Sequence, residues 1–154
     1  MSIFTHDPID WAPDTVCDAA RFTQDIHEKM DEIDANILLK SKVIIETRNM
    51  AADSGDVSYT GIGFQPTSIQ VVVSITGTLT LCVGLVDSSK TGACVSQYAA
   101  NTLNPVANFV AIYVDGSNKQ TAIIKSFDAN GFTLTWTKTA SPTGTATLIF
   151  LCFR

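Results

Sequence analysis

The chain has 154 residues, 45% of them hydrophobic and only 16% charged, and fifteen Asp and Glu against ten Lys and Arg leave a formal net charge of −5. A chain of this length buries roughly 70% of its unfolded surface, enough for one domain with an appendage and no covalent staples. No cationic face is available for phosphate, which excludes nucleic acid as a partner, and so low a charge content points to apolar surface covered by other chains.

The charge is segregated. Residues 1–50 hold ten acids and five bases, whereas residues 51–154 hold five of each. The first fourteen residues place Pro8, Trp11 and Pro13 among Asp7, Asp10 and Asp14 and read as an extended arm. Trp11 needs a surface, either the chain's own helix or a neighbouring subunit, where a buried Trp is a typical anchor. A helix is predicted from about Thr15 to Ile37, its first turn suited by Asp14, Thr15 and Asp18 to the positive end of the helix dipole. Ala19, Phe22, Ile26, Met30, Ile33 and Ile37 recur every three or four residues, and the last four form a seam flanked by acids. A lone acidic helix is marginal in water, so the seam must dock on its own domain, on symmetry mates or on a larger assembly. Trp11, Phe22, Ile26, Met30, Ile33 and Ile37 are therefore the candidate anchor and interface residues. Residues 1–40 form an arm-and-helix region for anchoring or oligomerisation, followed by a β-sandwich domain over 41–154.

From Lys42 onward the pattern is that of strands: Lys42 to Arg48, Ser68 to Thr76, Thr78 to Asp87, Ala93 to Tyr98, Asn108 to Val114, Thr121 to Phe127, Phe132 to Thr137 and Thr145 to Phe153. Ala51 to Asp56 reads as a loop. Turns are expected about Gly77, across Asp87 to Gly92, Asn101 to Pro105 and Asp115 to Asn118, at Asn130-Gly131, and from Pro142 to Gly144. Phe132, Leu134 and Trp136 alternate with threonines, which marks a half-buried strand. About eight strands so punctuated predict an all-β antiparallel sandwich, jelly-roll-like, with an N-terminal arm and α-helix. The stretches Ile69 to Ile75, Phe109 to Val114 and Leu148 to Phe153 are apolar on both faces, which means a central position or a second face covered by another subunit. A closed, trimeric homo-oligomer is expected.

Cys17, Cys82, Cys94 and Cys152 are widely spaced, and the first residues lack a signal-peptide pattern. Synthesis and folding in cytoplasm with free, buried thiols are expected. No stretch approaches the length of a membrane-spanning helix, so membrane insertion is not expected.

Gly61-Ile-Gly-Phe-Gln-Pro66, the apolar strand after it, and the run from Asn130-Gly-Phe-Thr-Leu-Thr-Trp through Ser141-Pro-Thr-Gly144 to a final apolar strand resemble small virion proteins of tailed bacteriophages. The resemblance covers about 95 residues from Gly61 onward. In that group a short segment with a Trp and a helix precedes a β-sandwich, and the sandwich is similar to the knobs that end phage fibres and tail needles, commonly trimeric. The resemblance implies a structural protein at the virion surface. By analogy residues 1–37 would anchor it, although Trp11-Ala-Pro-Asp14 and Cys17 to Phe22 stand where the group has a Gly-containing turn and a Leu-Asn pair. The partners it implies are further copies of the chain, other capsid or tail proteins, and a host-surface glycan. A capsid decoration or head-fibre protein is favoured, because so short a chain has no shaft; a tail-fibre or tail-tip knob and a lectin-type module are the alternatives.

No catalytic constellation is expected. His6 and His27 lack a second metal ligand at helical spacing, and no cysteine pair has zinc spacing. Asp87, Asp115 and Asp128 sit in turns, where aspartate is a common turn former, with calcium as the alternative. Tyr98, Tyr113 and Trp136 can stack on sugars, but Trp136 shares a strand face with Phe132 and Leu134 and reads as core. No enzyme activity, cofactor or metal is therefore expected.

Overall fold

The computed structural model describes residues 19–38, 41–99 and 102–154, with helix side chains described from residue 23 to 33. The chain divides into two compact units, Met1–Leu38 and Leu39–Arg154. In the first, α1 spans Ala19–Leu38. Gln24 bonds Glu28 at 3.2 Å and Lys29 pairs with Glu32 at 2.9 Å, both on the exposed surface, where such pairs add only tenths of a kcal/mol. The expected helix start at Thr15, with Trp11, lies outside the described residues.

The second unit is an antiparallel sandwich of ten strands: β1 (Ser41–Asn49), β2 (Gly55–Thr60), β3 (Ser68–Ile75), β4 (Leu81–Asp87), β5 (Gly92–Gln97), β6 (Asn104–Val106), β7 (Val110–Tyr113), β8 (Lys119–Asp128), β9 (Gly131–Thr139) and β10 (Thr145–Phe153). One sheet runs β1-β10-β3-β4-β5-β6 and the other β2-β9-β8-β7. The all-β sandwich is as the sequence predicts. Where a jelly roll alternates successive strands between its sheets, this chain lays down two meanders, β3 to β6 and β7 to β9, and then returns β10 to the first sheet.

Two strands were not expected. β2 begins within Ala51 to Asp56, which reads as a loop, and runs on to Thr60, with Val57 and Tyr59 facing inward against Leu134 and Phe132 of β9. β6 is three residues around Pro105, in a stretch that reads as a turn; it pairs with β5 over Cys94 to Ser96. Tertiary pairing supplies in both cases what composition denies locally.

The core is aromatic. Phe150 of β10 meets Tyr59 and Phe132 at 5.0 Å between ring centroids and Phe109 at 6.3 Å. Trp136, 1% exposed, lies on the same inner side, as its alternation with threonine predicts. The segment after β2 contributes Ile62 and Phe64 as plugs, held by Asn130, whose side-chain oxygen accepts the Gly63 N–H at 2.7 Å. At the β8–β9 turn, Gly131 is required for room: a Cβ there would stand 1.9 Å from the Tyr59 carbonyl oxygen.

One polar cluster is buried. Arg48 Nε donates to Gln120 Oε1 at 2.9 Å, and Arg48 Nη2 donates to the Asp53 carbonyl at 2.9 Å. Gln120 Nε2 donates to the Met50 and Ala52 carbonyls at 2.7 and 2.9 Å, and the guanidinium lies 4.8 Å from the Trp136 ring centroid. Burial pushes the Arg48 pKa below its ordinary value. This network fixes the turn between β1 and β2. Replacing Gln120 by Leu keeps the volume but strands Arg48 Nε and two carbonyls, so it should lower unfolding free energy by about 3 kcal/mol, measured by urea titration.

β7 is a short edge strand yet is buried, because it lies close over β4 and β5. Gly84 and Gly92 make that approach possible: a Cβ at Gly84 would stand 1.9 Å from the Phe109 carbonyl oxygen. Ala111 N–H donates to Cys82 Sγ at 3.4 Å across the same gap. The variant Gly84→Ala should lose about 2–3 kcal/mol by overpacking. Gly116→Ala, whose Cβ first meets Tyr98 Oη at 3.5 Å, should stay within about 0.5 kcal/mol of wild type in the same titration.

Candidate functional site

The outer faces of the two sheets differ in kind. On the four-stranded sheet, Asp56 ion-pairs with Lys125 and accepts Thr135 Oγ1 at 2.6 Å; Ser58 bonds Thr133, which donates to Asp128 at 2.8 Å. That surface is threonine-rich and charged, suited to water. The six-stranded sheet turns Thr, Ser and apolar residues outward instead.

The pairing register defines the apolar surface. Ile45, Ile149, Val72, Val83, Val95 and Pro105 stand directly opposite one another in turn, one unbroken apolar row across all six strands. The next row runs Val43, Leu151, Gln70, Leu85 and Ala93. On the other side lie Thr47, Thr147, Ser74, Leu81 and Gln97. The row of Ser41, Phe153, Ser68 and Asp87 closes one margin, and Asp87 is the single ionisable side chain among these four rows. Ile45 is 66% exposed and Leu85 61%. Alternation along β3, β4, β5 and β10 thus puts apolar side chains on both faces, where a sandwich strand facing water would carry polar ones.

The face is uneven. Toward β1 it exposes Val43, Ile45 and Ile149. Toward β6 it sinks into an open trough of about 580 Å3 lined by Val83, Leu85, Ala93, Val95 and Pro105.

The sequence candidates fall elsewhere. Ile26, Met30 and Ile33 are all exposed on α1, Met30 at 59%. Phe22 and Ile37 belong to the same helix, but their side chains, like all of Trp11, lie outside what is described. Tyr98 and Tyr113 stack on each other with centroids 5.4 Å apart, and Lys119 Nζ is 4.9 Å from the Tyr113 centroid. Trp136 is interior. The outer sheet face was visible in the sequence only as the two-sided apolar strands; its continuity needed the strand order.

The turn aspartates are engaged locally. Asp115 accepts the backbone N–H groups of Asn118 and Ser117, each at 2.8 Å, and the Asn118 side-chain amide. Asp87 accepts from Ser89, and Asp128 from Thr133. No group of three or more His, Cys, Asp or Glu able to hold a metal occurs among the described residues. No described helix is long and apolar enough to cross a membrane. Cys82, Cys94 and Cys152 are free and buried, and Cys17 lies outside the described residues. The hydrogen bond that Cys94 donates to Cys82, with burial, pushes the Cys94 thiol up; burial pushes Cys152 up to about 12. Cys94 and Cys152 are therefore not nucleophiles at neutral pH. Comparison with known proteins finds no matching family model, no similar curated protein and no similar solved structure.

The exposed carboxylates set the acid behaviour. Hydrogen bonds from Asn118 hold Asp115 below its ordinary pKa; Lys125 and Thr135 do the same for Asp56, and Ser89 for Asp87. With native values depressed, the unfolded chain binds more protons in acid. The stability these groups contribute is complete above the unfolded value, about pH 4, and is lost as pH falls through the native ones. The urea midpoint should therefore hold level from pH 6 to about 4.5 and drop below about 4, and Asp115→Asn should remove part of that drop.

Proposed function

We propose that this chain is a non-enzymatic structural protein of a tailed-bacteriophage virion, a homotrimer at the particle surface. In this reading residues 1–40 attach it to other virion proteins and the sandwich projects outward, as a capsid decoration or head-fibre protein. The observation that carries the proposal is the outer face of the six-stranded sheet. A sandwich that keeps one broad face free of charge apart from Asp87 at its margin is built to be covered. The exposed stripe of Ile26, Met30 and Ile33 on α1 supports a second attachment surface. The resemblance of Gly61 to Pro66 and of Asn130 to Gly144 to small phage virion proteins supports the biological setting. The carboxylates of Asp56, Asp87, Asp115 and Asp128 are each occupied by structural partners, in keeping with a role other than catalysis.

A second reading, a tail-tip knob or lectin-type module that touches a host glycan, draws on the half-buried Tyr98–Tyr113 stack beside Lys119. Labelling the protein in purified particles of its source phage separates these. Density on the capsid surface is the expected result. Density at the tail tip would favour the knob. Absence from particles would overturn the virion reading.

A further inference from the structure

We infer that the free edge of β1 pairs with the β1 edge of a second copy, antiparallel about a two-fold axis at Ile44, and so joins two six-stranded sheets into one. The two edges of this sheet are unlike. β6 is three residues long and carries Pro105, whereas β1 runs nine residues, Ser41–Asn49, without Gly or Pro. Among the described residues β1 pairs on one side only, with β10. That register has no bulge, and Met50 N–H donates to the Gly144 carbonyl at 2.9 Å in continuation of it. Hydrogen-bonded and non-hydrogen-bonded pairs alternate along an antiparallel ladder. The even-numbered residues of β1 therefore bond β10, while Ser41, Val43, Ile45 and Thr47 turn their N–H and carbonyl groups to the free side. A long open edge of this kind is a template for a further strand.

The side chains select a second copy and fix its register. Lys42 and Glu46 lie on one side of the strand, evenly placed about Ile44, and neither has an ion-pair partner among the described residues. Charges on the core-facing side of an edge strand ordinarily deter pairing, because an added strand meets them with no counter-charge. Here the two-fold axis supplies one. With Ile44 opposite Ile44, Lys42 of each copy stands opposite Glu46 of the other, and Val43 stands opposite Ile45. The Lys42–Glu46 pairs fall at non-hydrogen-bonded positions, where facing side chains are closest. Centring the pair on Ile45 sets Lys42 against Arg48, and centring it on Val43 sets Lys42 against Ile44. Of the two-fold registers, the one at Ile44 alone gives both Lys42 and Glu46 an opposite charge.

The same register makes full use of the backbone. Ser41 with Thr47 and Val43 with Ile45, each pair made twice, exchange about eight main-chain hydrogen bonds, close to the roughly ten of a typical interface. On the outer face, the row of Ile45 and Ile149 in one copy continues into Val43 and Leu151 of the other. Growth stops there, because the β6 edge at the far side of each sheet is short and blocked by Pro105. The contact is isologous and closed, and builds no filament. It goes beyond the homotrimer proposed above: it joins copies in pairs, and where a three-fold contact holds elsewhere it links two trimers.

The test uses the full chain. Native mass measurement and sedimentation at micromolar concentration are applied to wild type, Ile45→Pro, Lys42→Glu, Glu46→Lys and the double variant carrying both charge reversals. Ile123→Lys, exposed on the outer face of the four-stranded sheet, is the control. A thermal melt of each variant checks that the fold survives. Wild type should hold an even number of copies, two, or six where a three-fold contact is also made. Ile45→Pro removes a donor on the free side and none that bonds β10, so it should weaken pairing by about a hundredfold or more. Each single charge reversal sets like charges opposite one another at both symmetry-related places and should weaken pairing by about tenfold. The double variant restores opposite charges and should return to within about threefold of wild type. Ile123→Lys should change nothing. A wild type of one or three copies, pairing indifferent to a folded Ile45→Pro, or a double variant as weak as the single ones overturns the inference. If Ile45→Pro unfolds, the charge series decides: loss and recovery support the pairing, and their absence overturns it. None of these results bears on the particle-labelling experiment, so the virion reading stands or falls separately.

Discussion

Phe150 is the contact on which the sandwich depends. It reaches from β10 across the interior to Tyr59 of β2, Phe132 of β9 and Phe109 before β7, so one ring joins the first, second and fourth strands of the other sheet's neighbourhood to the six-stranded sheet. β10 carries a second burden. It lies between β1 and β3, and without it the six-stranded sheet separates into one isolated strand and a meander. The inner face of β10 thus holds the two sheets together while its outer face, through Ile149 and Leu151, makes the apolar surface continuous from β1 to β3. Core and candidate interface are two sides of one strand, and a substitution at Phe150 would disturb both.

The same strand shows how much a sequence reveals. Thr145 to Phe153 reads at once as an apolar strand, and its bounds match. That its two faces serve different purposes is also legible, since Ala146, Leu148, Phe150 and Cys152 alternate with residues of similar character. Which face is interior cannot be read from alternation when both are apolar, because the period of two is then silent. Strand order settles it. β9 gives the contrast: Phe132, Leu134 and Trp136 alternate with threonine, and the inner face follows directly from the sequence.

The unexpected strands fail for a different reason. In β2, Gly55, Asp56 and Ser58 carry the local signal of a loop, and only Val57 and Tyr59 hint at a strand; the pairing with β9 decides it. In β6, Pro105 removes a donor, which a central strand could not tolerate but an edge strand can. Gly84 and Gly92 look like ordinary weak points in strands by composition. Their role is to let Phe109 and β7 approach, and that depends on residues far away in sequence. Of the five site candidates read from helical periodicity, Ile26, Met30 and Ile33 share exposure on α1, while the broader surface that six strands assemble from residues scattered between Val43 and Phe153 shows in the sequence only as strands apolar on both faces.

A broad apolar sheet face is also an aggregation hazard, and the fold restricts how it can be satisfied. The β6 edge of this sheet is only three residues long and carries Pro105, which discourages another strand from adding there. Association by lateral sheet extension is thereby hindered at that edge. Residues 51–154, with five acids and five bases, supply no net repulsion to oppose association. The sandwich thus has one wet side, carrying Asp56 and Lys125, and one dry side, the Ile45-to-Pro105 row. That polarity, more than any single residue, is the physical basis for reading the molecule as a building block.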